Sequence, residues 1–236
     1  MKLKQNPQGE IMRAENLTKV FRLGDAEIRA VDGISISIKS GEFVSVLGPS
    51  GCGKSTLLHM LGLLDRPTSG DIYIEGAHVS QMKNGDVTAF RRKRLGFVFQ
   101  QFNLINNLTV FENAALPLML DEVEEHRRME KVLPLLERLG IAHRMNNYTN
   151  NISGGEMQRV AIARALALDP DIIFADEPTG NLDSRSGEEV MRIFRELNAA
   201  GKTILMITHD RNIAKNADRI IYLRDGKIDK MDDKKG

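Results

Sequence analysis

Between Gly48 and Thr56 the chain reads Gly-Pro-Ser-Gly-Cys-Gly-Lys-Ser-Thr, and no other stretch constrains the fold as tightly. The apolar run Phe43-Val44-Ser45-Val46-Leu47 precedes it, and Leu57-Leu58-His59-Met60-Leu61 follows it with the look of a helix. Strand, glycine-rich turn and helix is the setting in which G-x-x-x-x-G-K-[ST] holds phosphate. The glycines let the backbone bend until several N–H groups aim at one anion, and the helix N-terminus adds partial positive charge. Lys54 is expected to reach the outer phosphates and the Ser55 hydroxyl to hold Mg²⁺. A plain glycine-rich turn with a surface lysine would need neither flank. A nucleoside triphosphate is the expected ligand.

A chain of 236 residues suits one large domain or two small ones. With 42% hydrophobic and 28% charged residues and a formal net charge of +1, it reads as an ordinary globular protein with no global field for nucleic acid. Its sole cysteine is Cys52, inside the glycine-rich turn, so no intrachain disulfide forms and a reducing cytosol fits. Cys52 is either a redox-sensitive thiol or a small residue at a variable loop position. Met1–Asn6 lacks the apolar core of a signal peptide. No apolar run approaches the roughly 18 to 20 residues that cross a bilayer, so a membrane role has to come through a partner.

Val31, Ile34, Ile36 and Ile38 mostly alternate with polar or small residues, which predicts antiparallel β structure in the first forty positions. Lys39–Glu42 turns the chain into the strand before the phosphate loop, and Asp65–Gly70 is a loop before a short strand marked by Ile72 and Ile74. Asp86–Arg94 reads as helix and Leu95–Phe99 as strand. From about Asn103 to Asn151 the pattern is helical, with Val123–Leu139 apolar along Val132, Leu133, Leu135, Leu136 and Leu139 and a kink expected at Pro134. Strand Ile172–Ala175, helix Gly187–Ala199, strand Thr203–Thr208, a short helix and strand Ile220–Leu223 complete an alternating β/α series. Continuous apolar strands in such a series predict a mostly parallel sheet covered on both faces. Asp229–Gly236 reads as disordered.

Ligands of open α/β sheets bind at the carboxyl ends of the strands. Phe43–Leu47 runs into the phosphate loop, Phe97–Phe99 ends at Gln100, Ile172–Ala175 at Asp176 and Glu177, and Ile204–Thr208 at His209. One such polar ending is usually a loop residue or a cap; four on one edge point to a site. A carboxylate at Asp176 can hold Mg²⁺ through water, and Glu177 can then orient or deprotonate the water that attacks the γ-phosphate. Pro178, lacking an N–H, stops the strand.

The most specific stretch is Ile152–Leu166, Ile-Ser-Gly-Gly-Glu-Met-Gln-Arg-Val-Ala-Ile-Ala-Arg-Ala-Leu. Ser153 and Glu156 form an S-x-x-E capping box, and Gly154 and Gly155 leave the first turn open to an anion. Two such helix starts accompany one phosphate loop. With these motifs in this order, from about Ile11 to Lys230, the chain resembles the ATP-binding subunit of an ATP-binding cassette (ABC) transporter.

The resemblance implies an α/β fold: a P-loop NTPase core with a mostly parallel sheet, an N-terminal antiparallel β subdomain and an inserted α-helical subdomain. By the same resemblance residues 1–236 are expected to form one ABC domain, with about 1–100 and 158–230 as catalytic core carrying the β subdomain, about 101–157 as helical subdomain carrying the signature, and 231–236 as tail. It further implies ATP bound by Gly48, Ser50, Gly51, Cys52, Gly53, Lys54, Ser55 and Thr56; Mg²⁺ held by Ser55, Gln100 and Asp176; Glu177 as general base; and His209 on the γ-phosphate. Phe21 stands where an aromatic stacks on adenine, though it could equally be a core residue. Gly180–Asp183 resembles the loop that signals between subunits, with Asp183 near the nucleotide. Two copies pack head to tail, so Ser153, Gly154, Gly155 and Glu156 of one close over ATP in the P-loop of the other. The commonest signature has Leu and Gln where this chain has Ile152 and Glu156; the capping box is expected to turn Glu156 back toward the N–H of Ser153. Its contact with nucleotide stays open.

Gly96–Leu104 and Ala175–Asp183 resemble a branch containing lipoprotein-releasing, macrolide- and antimicrobial-peptide-exporting and cell-division ATPases. That implies an ATPase lying peripherally on the cytoplasmic face of the membrane and powering an integral-membrane permease. Gln101–Val110 and the following helix would receive the partner, with Leu104, Ile105, Leu108 and Phe111 either lining that groove or filling the helical core. The rival readings are a soluble ABC ATPase acting in translation or DNA repair, and a non-catalytic regulatory cassette. The interval from Thr56 to Ser153 is too short for the coiled coil of repair proteins, the single cassette disfavours a translation factor, and every catalytic position is filled. Arg91-Arg92-Lys93-Arg94 is the one nucleic-acid hint, and no nucleic-acid partner is expected.

Overall fold

Ten strands, seven α-helices and three short 3-10 turns form among the described residues of the computed structural model, which describes residues 9–24 and 26–233. In chain order the strands and α-helices begin with β1 (Glu10–Leu23), β2 (Ala26–Lys39), β3 (Phe43–Leu47), α1 (Lys54–Leu61), β4 (Ser69–Ile74) and β5 (Ala77–His78). Next come α2 (Asn84–Arg94), β6 (Leu95–Phe99), α3 (Val110–Leu120), α4 (Glu125–Arg138) and α5 (Gly154–Leu166). The chain then forms β7 (Ile172–Asp176), α6 (Ser184–Ala199), β8 (Thr203–Thr208), α7 (Arg211–Ala214), β9 (Arg219–Arg224) and β10 (Lys227–Asp233). The reading of Met1–Asn6 falls outside the described residues. So does the end of the expected disordered tail, 234–236. The rest of that tail is a correction: Asp229–Asp233 belongs to β10, whose ladder on β9 pairs Lys230 with Tyr222 and Met231 with Ile221. Polar composition suggested disorder, but backbone pairing on a buried neighbour does not depend on apolar side chains.

The chain divides into two compact units, Met1–Arg91 with Asn198–Gly236, and Arg92–Leu197. In the first, an antiparallel sheet runs in the order β2-β1-β4-β5. Val31, Ile34, Ile36 and Ile38 are all buried on one face. The three-residue step from Val31 to Ile34 would put them on opposite faces of a regular strand. The register shifts there, between the pairs Leu17–Ile34 and Lys19–Val31, and Gly33 takes a left-handed φ of 71°. A bulge thus restores the inward face. The unit's other strands run β10-β9-β3-β8, with β3 parallel to both β8 and β9. Every residue of β3 and β8 is buried, as the unbroken apolar runs predicted. Each large apolar side chain removed from water there contributes about 1.5–3 kcal/mol.

In the second unit β6 and β7 pair in parallel, Phe99 opposite Asp176, so their ends lie level. Helix α5 is the most deeply packed, with Gly155, Gln158, Val160, Ala161, Ile162, Ala163 and Leu166 buried. Helix α3 starts with its own capping box, Thr109 with Glu112. Its buried Asn113 donates to the carbonyls of Ile105, Leu108 and Thr109 and accepts from the N–H of Ile105, fixing the preceding loop. The core side of α3 is Val110, Ala114, Ala115 and Leu118. None of Leu104, Ile105, Leu108 and Phe111 is fully buried, and Ile105 is 40% exposed. Helix α4 runs unbroken through Pro134 and buries Val132 and Leu136.

Candidate functional site

The first unit carries the phosphate loop, and its glycines are demanded by close packing. A Cβ at Gly48 would lie 2.3 Å from the Leu223 carbonyl oxygen; one at Gly53 would lie 2.0 Å from that of Ala30. Gly51 and Gly53 take φ of 79° and 100°. Gly53 directly precedes α1, whose start has no side-chain cap and no acidic residue in its first turn. The leading amides of α1 therefore have no capping side chain or nearby carboxylate competing for them, an arrangement suited to an anion. Lys54 is buried, and its ammonium donates to the carbonyls of Gly48 and Pro49, both at 2.9 Å, which holds the cation across the loop.

Cys52 is buried beneath this turn, and burial pushes its thiol up despite the opposing charge of Lys54. A raised thiol has little thiolate to react, so the structure favours the packing reading over the redox one. Phe21 is 41% exposed and pairs across the hairpin with Ile28, with the Lys19 ammonium 5.3 Å from its ring centre. It is not a core aromatic. At the end of β8, His209 is exposed and sits between Thr208, which is buried, and Asp210, which caps α7 through the N–H groups of Asn212 and Ile213.

The second unit gathers the remaining candidates. Asp176 and Glu177, both half-buried, close β7, and Glu177 adopts a left-handed φ of 46°. Such a conformation costs a non-glycine residue about 1–3 kcal/mol and concentrates at functional sites. Gln100 lies over Gly180, where a Cβ would come 2.7 Å from its Nε2. Gln100 Nε2 donates to Asn181 Oδ1 at 3.2 Å, and Asn181 Nδ2 donates to the Gln100 carbonyl at 3.0 Å. Asn181 thus orients the Gln100 amide, a role the sequence did not reveal. After Gln100, Phe102 and Asn103 are both left-handed, and the Arg164 guanidinium donates to both their carbonyls.

At α5 the capping box forms as the S-x-x-E spacing requires. Glu156 N–H donates to Ser153 Oγ at 3.4 Å, while Ser153 N–H and Oγ–H donate to Glu156 Oε2 at 2.8 and 2.9 Å. Glu156 therefore does turn back toward Ser153. The other oxygen, Oε1, accepts from Arg144 Nε at 3.2 Å. Burial pushes the Glu156 carboxyl up, but the Ser153 and Arg144 hydrogen bonds outweigh it and hold the group below its ordinary value. Gly155 packs on Ser186, where a Cβ would meet Oγ at 2.8 Å, and Gln158 Nε2 donates to the Pro178 carbonyl at 2.6 Å. Asp183 accepts from the N–H and hydroxyl of Ser186 at the start of α6, and those bonds hold its carboxyl below the ordinary range. That cap is why α6 starts at Ser184, three residues before the expected Gly187.

Among the described residues no three His, Cys, Asp or Glu side chains cluster as a self-contained metal site. The oxygen donors proposed from sequence, a hydroxyl, an amide and a carboxylate, suit a hard cation that keeps waters and shares phosphate oxygens.

Comparison with known proteins agrees with this machinery. A family profile described as ABC transporter matches residues 31–180. An uncharacterized ABC transporter ATP-binding protein of Methanocaldococcus jannaschii is 52% identical over 218 residues, covering 92% of this chain and 97% of its own. A macrolide export ATP-binding/permease protein of Chlorobaculum tepidum is 47% identical over 220 residues, which span 93% of this chain but 33% of that larger protein. The solved dimeric ABC transporter cassette from M. jannaschii superposes with a TM-score of 0.89 at 43% identity, covering 96% of this chain and 100% of the other. The same cassette has been seen in a post-hydrolysis state with ADP and Pi, again at a TM-score of 0.89. None of these relatives supports a role in translation or DNA repair. The chain belongs to the ABC transporter family, as a nucleotide-binding subunit with ATPase activity.

Proposed function

We propose that two copies pack head to tail, each closing its Ser153–Gly155 turn over ATP in the other's P-loop, and that closure drives a separate integral-membrane permease from the cytoplasmic face. The observation that carries this reading is the start of α5. Ser153 and Glu156 satisfy one another there, leaving the amides of Gly154 and Gly155 as donors, although the P-loop already has a helix of its own. A second anion receptor in the same chain is explained by a second copy's nucleotide.

Ser50–Thr56 hold the phosphates, and Phe21 stacks on adenine. Ser55, Gln100 and Asp176 would hold Mg²⁺; since Asn181 engages the Gln100 amide nitrogen, the amide oxygen would be left for the cation. Bound Mg²⁺ would neutralise charge on the outer phosphates. Glu177 draws the proton from the attacking water, and His209 donates to the γ-phosphate. Residues 101–157 work as the helical subdomain, and Asp183 stiffens the signalling loop beside the nucleotide.

The test is a mixture. Ser153→Arg and Lys54→Ala should each be inactive alone, while their mixture hydrolyses ATP because one composite site keeps both intact halves. No recovery, or full activity of Ser153→Arg alone, removes the shared site.

No helix among the described residues is long and apolar enough to cross a membrane; in this reading the permease partner holds the chain at the membrane. Similarity to a macrolide export ATP-binding/permease protein supports an export role in this reading, with the cargo set by the permease. The basic run is an unpromising strip for nucleic acid. Arg91 donates to the Leu63 carbonyl, Arg92 to the Leu120 carbonyl and Asp121, and Arg94 to Asp171. Leu104 and Leu108, half-buried before α3, are the proposed partner contact. Replacing both with Asp should release the protein from native membranes with its melting temperature nearly unchanged; an insoluble, melted product would return these residues to the core.

A further inference from the structure

We propose that Arg144 is a positioning residue for the signature turn: its guanidinium balances Glu156 so that the start of α5 can receive a triphosphate. This rests on the trans role proposed above for Ser153–Gly155.

Glu156 stands in the first turn of α5, where a helix presents roughly half a positive charge to an incoming anion. A bare carboxylate there opposes that charge and repels phosphate. Both of its oxygens are engaged: Oε2 by Ser153 N–H and Oγ–H, Oε1 by Arg144 Nε at 3.2 Å. His143 Nε2 lies 3.8 Å from Oε1 and adds charge only when protonated. The Glu156 side chain is 14% exposed against 42% for Arg144, so the carboxylate is the enclosed member of the pair.

Capping by itself does not call for this cation. The box at α3 has the same two bonds, with Thr109 N–H and Oγ–H donating to Glu112 Oε2, and Glu112 has no cationic partner among the described residues. The box proposed to face phosphate has an arginine, and the other has none. Arg144 sits on the short turn Ala142–Arg144 after α4, so its placement is independent of α5's own backbone. The chain thereby tolerates Glu where the commonest signature carries an uncharged Gln.

The experiment measures the ATP concentration for half-maximal hydrolysis by the full chain, with binding of a fluorescent ADP analogue as the P-loop control. Arg144→Ala should raise that concentration about tenfold while analogue binding stays constant, because like charge then faces the triphosphate. Arg144→Lys, which keeps the charge, should raise it about threefold or less. On a Glu156→Gln background, Arg144→Ala should cost about twofold or less, since no charge is left to balance. An equal loss on both backgrounds means Arg144 is only a strut and overturns the proposal, as does no loss at all. If Arg144→Ala does not fold, Arg144→Gln serves for the same two-background comparison. Ser153→Arg is run alongside. If it remains active, the shared-site reading fails and this proposal with it; if it is dead while the two backgrounds agree, this proposal alone fails.

Discussion

Glu177→Gln should bind ATP as the parent does but hydrolyse it slower by about 10² or more, and an ATP-bound dimer should accumulate on size-exclusion chromatography. Asp176 ends β7, and the left-handed backbone at Glu177 turns the chain out of the strand at that point. Gln keeps the length and hydrogen-bonding capacity of the side chain and removes its basicity. What is lost is therefore proton removal from water, with little change in binding. Parent-like turnover would take the general base away from this position, and loss of ATP binding would mean that Glu177 shapes the site.

Gly53→Ala should abolish measurable nucleotide binding and lower stability by about 2–4 kcal/mol, where Gly51→Ala costs about 1 kcal/mol. Both glycines have positive φ, 100° and 79°, so both substitutions carry conformational strain. They differ in surroundings. An added Cβ at Gly53 meets the Ala30 carbonyl at 2.0 Å, whereas at Gly51 nothing lies within 4 Å. Ala30 belongs to β2, and neither that strand nor the first turn of α1 can shift without disturbing its own hydrogen bonds. Urea unfolding and a fluorescent-nucleotide titration of both variants separate strain from collision. Equal effects at the two positions would exclude the collision as the cause.

The features legible in the sequence act within a few residues. The P-loop, the strand alternation and the Ser153–Glu156 box each depend on neighbours inside one turn or one pleat, and each is found where its spacing placed it. Even Glu156's return to Ser153 follows from a four-residue rule. The bulge at Gly33 was half visible, as a skipped step in the alternation whose meaning needed the partner strand β1.

Other features depend on residues that meet only after folding. Asn181 orients Gln100 from 81 positions away, and Arg164 reaches the left-handed pair Phe102 and Asn103 from 62 and 61. Arg144, twelve residues before Glu156, lies beyond the reach of any helical period and reads in sequence as one more surface cation. The order of β10 likewise came from its neighbour β9, because a strand edge supplies hydrogen bonds that composition does not encode. By itself, then, the sequence determined where the glycine-rich turn, the strands and the capping boxes lie, since local backbone geometry dictates those residue types. The tertiary structure decided which side chains hold those groups in place and balance their charge, because such partners are chosen by proximity in the folded chain.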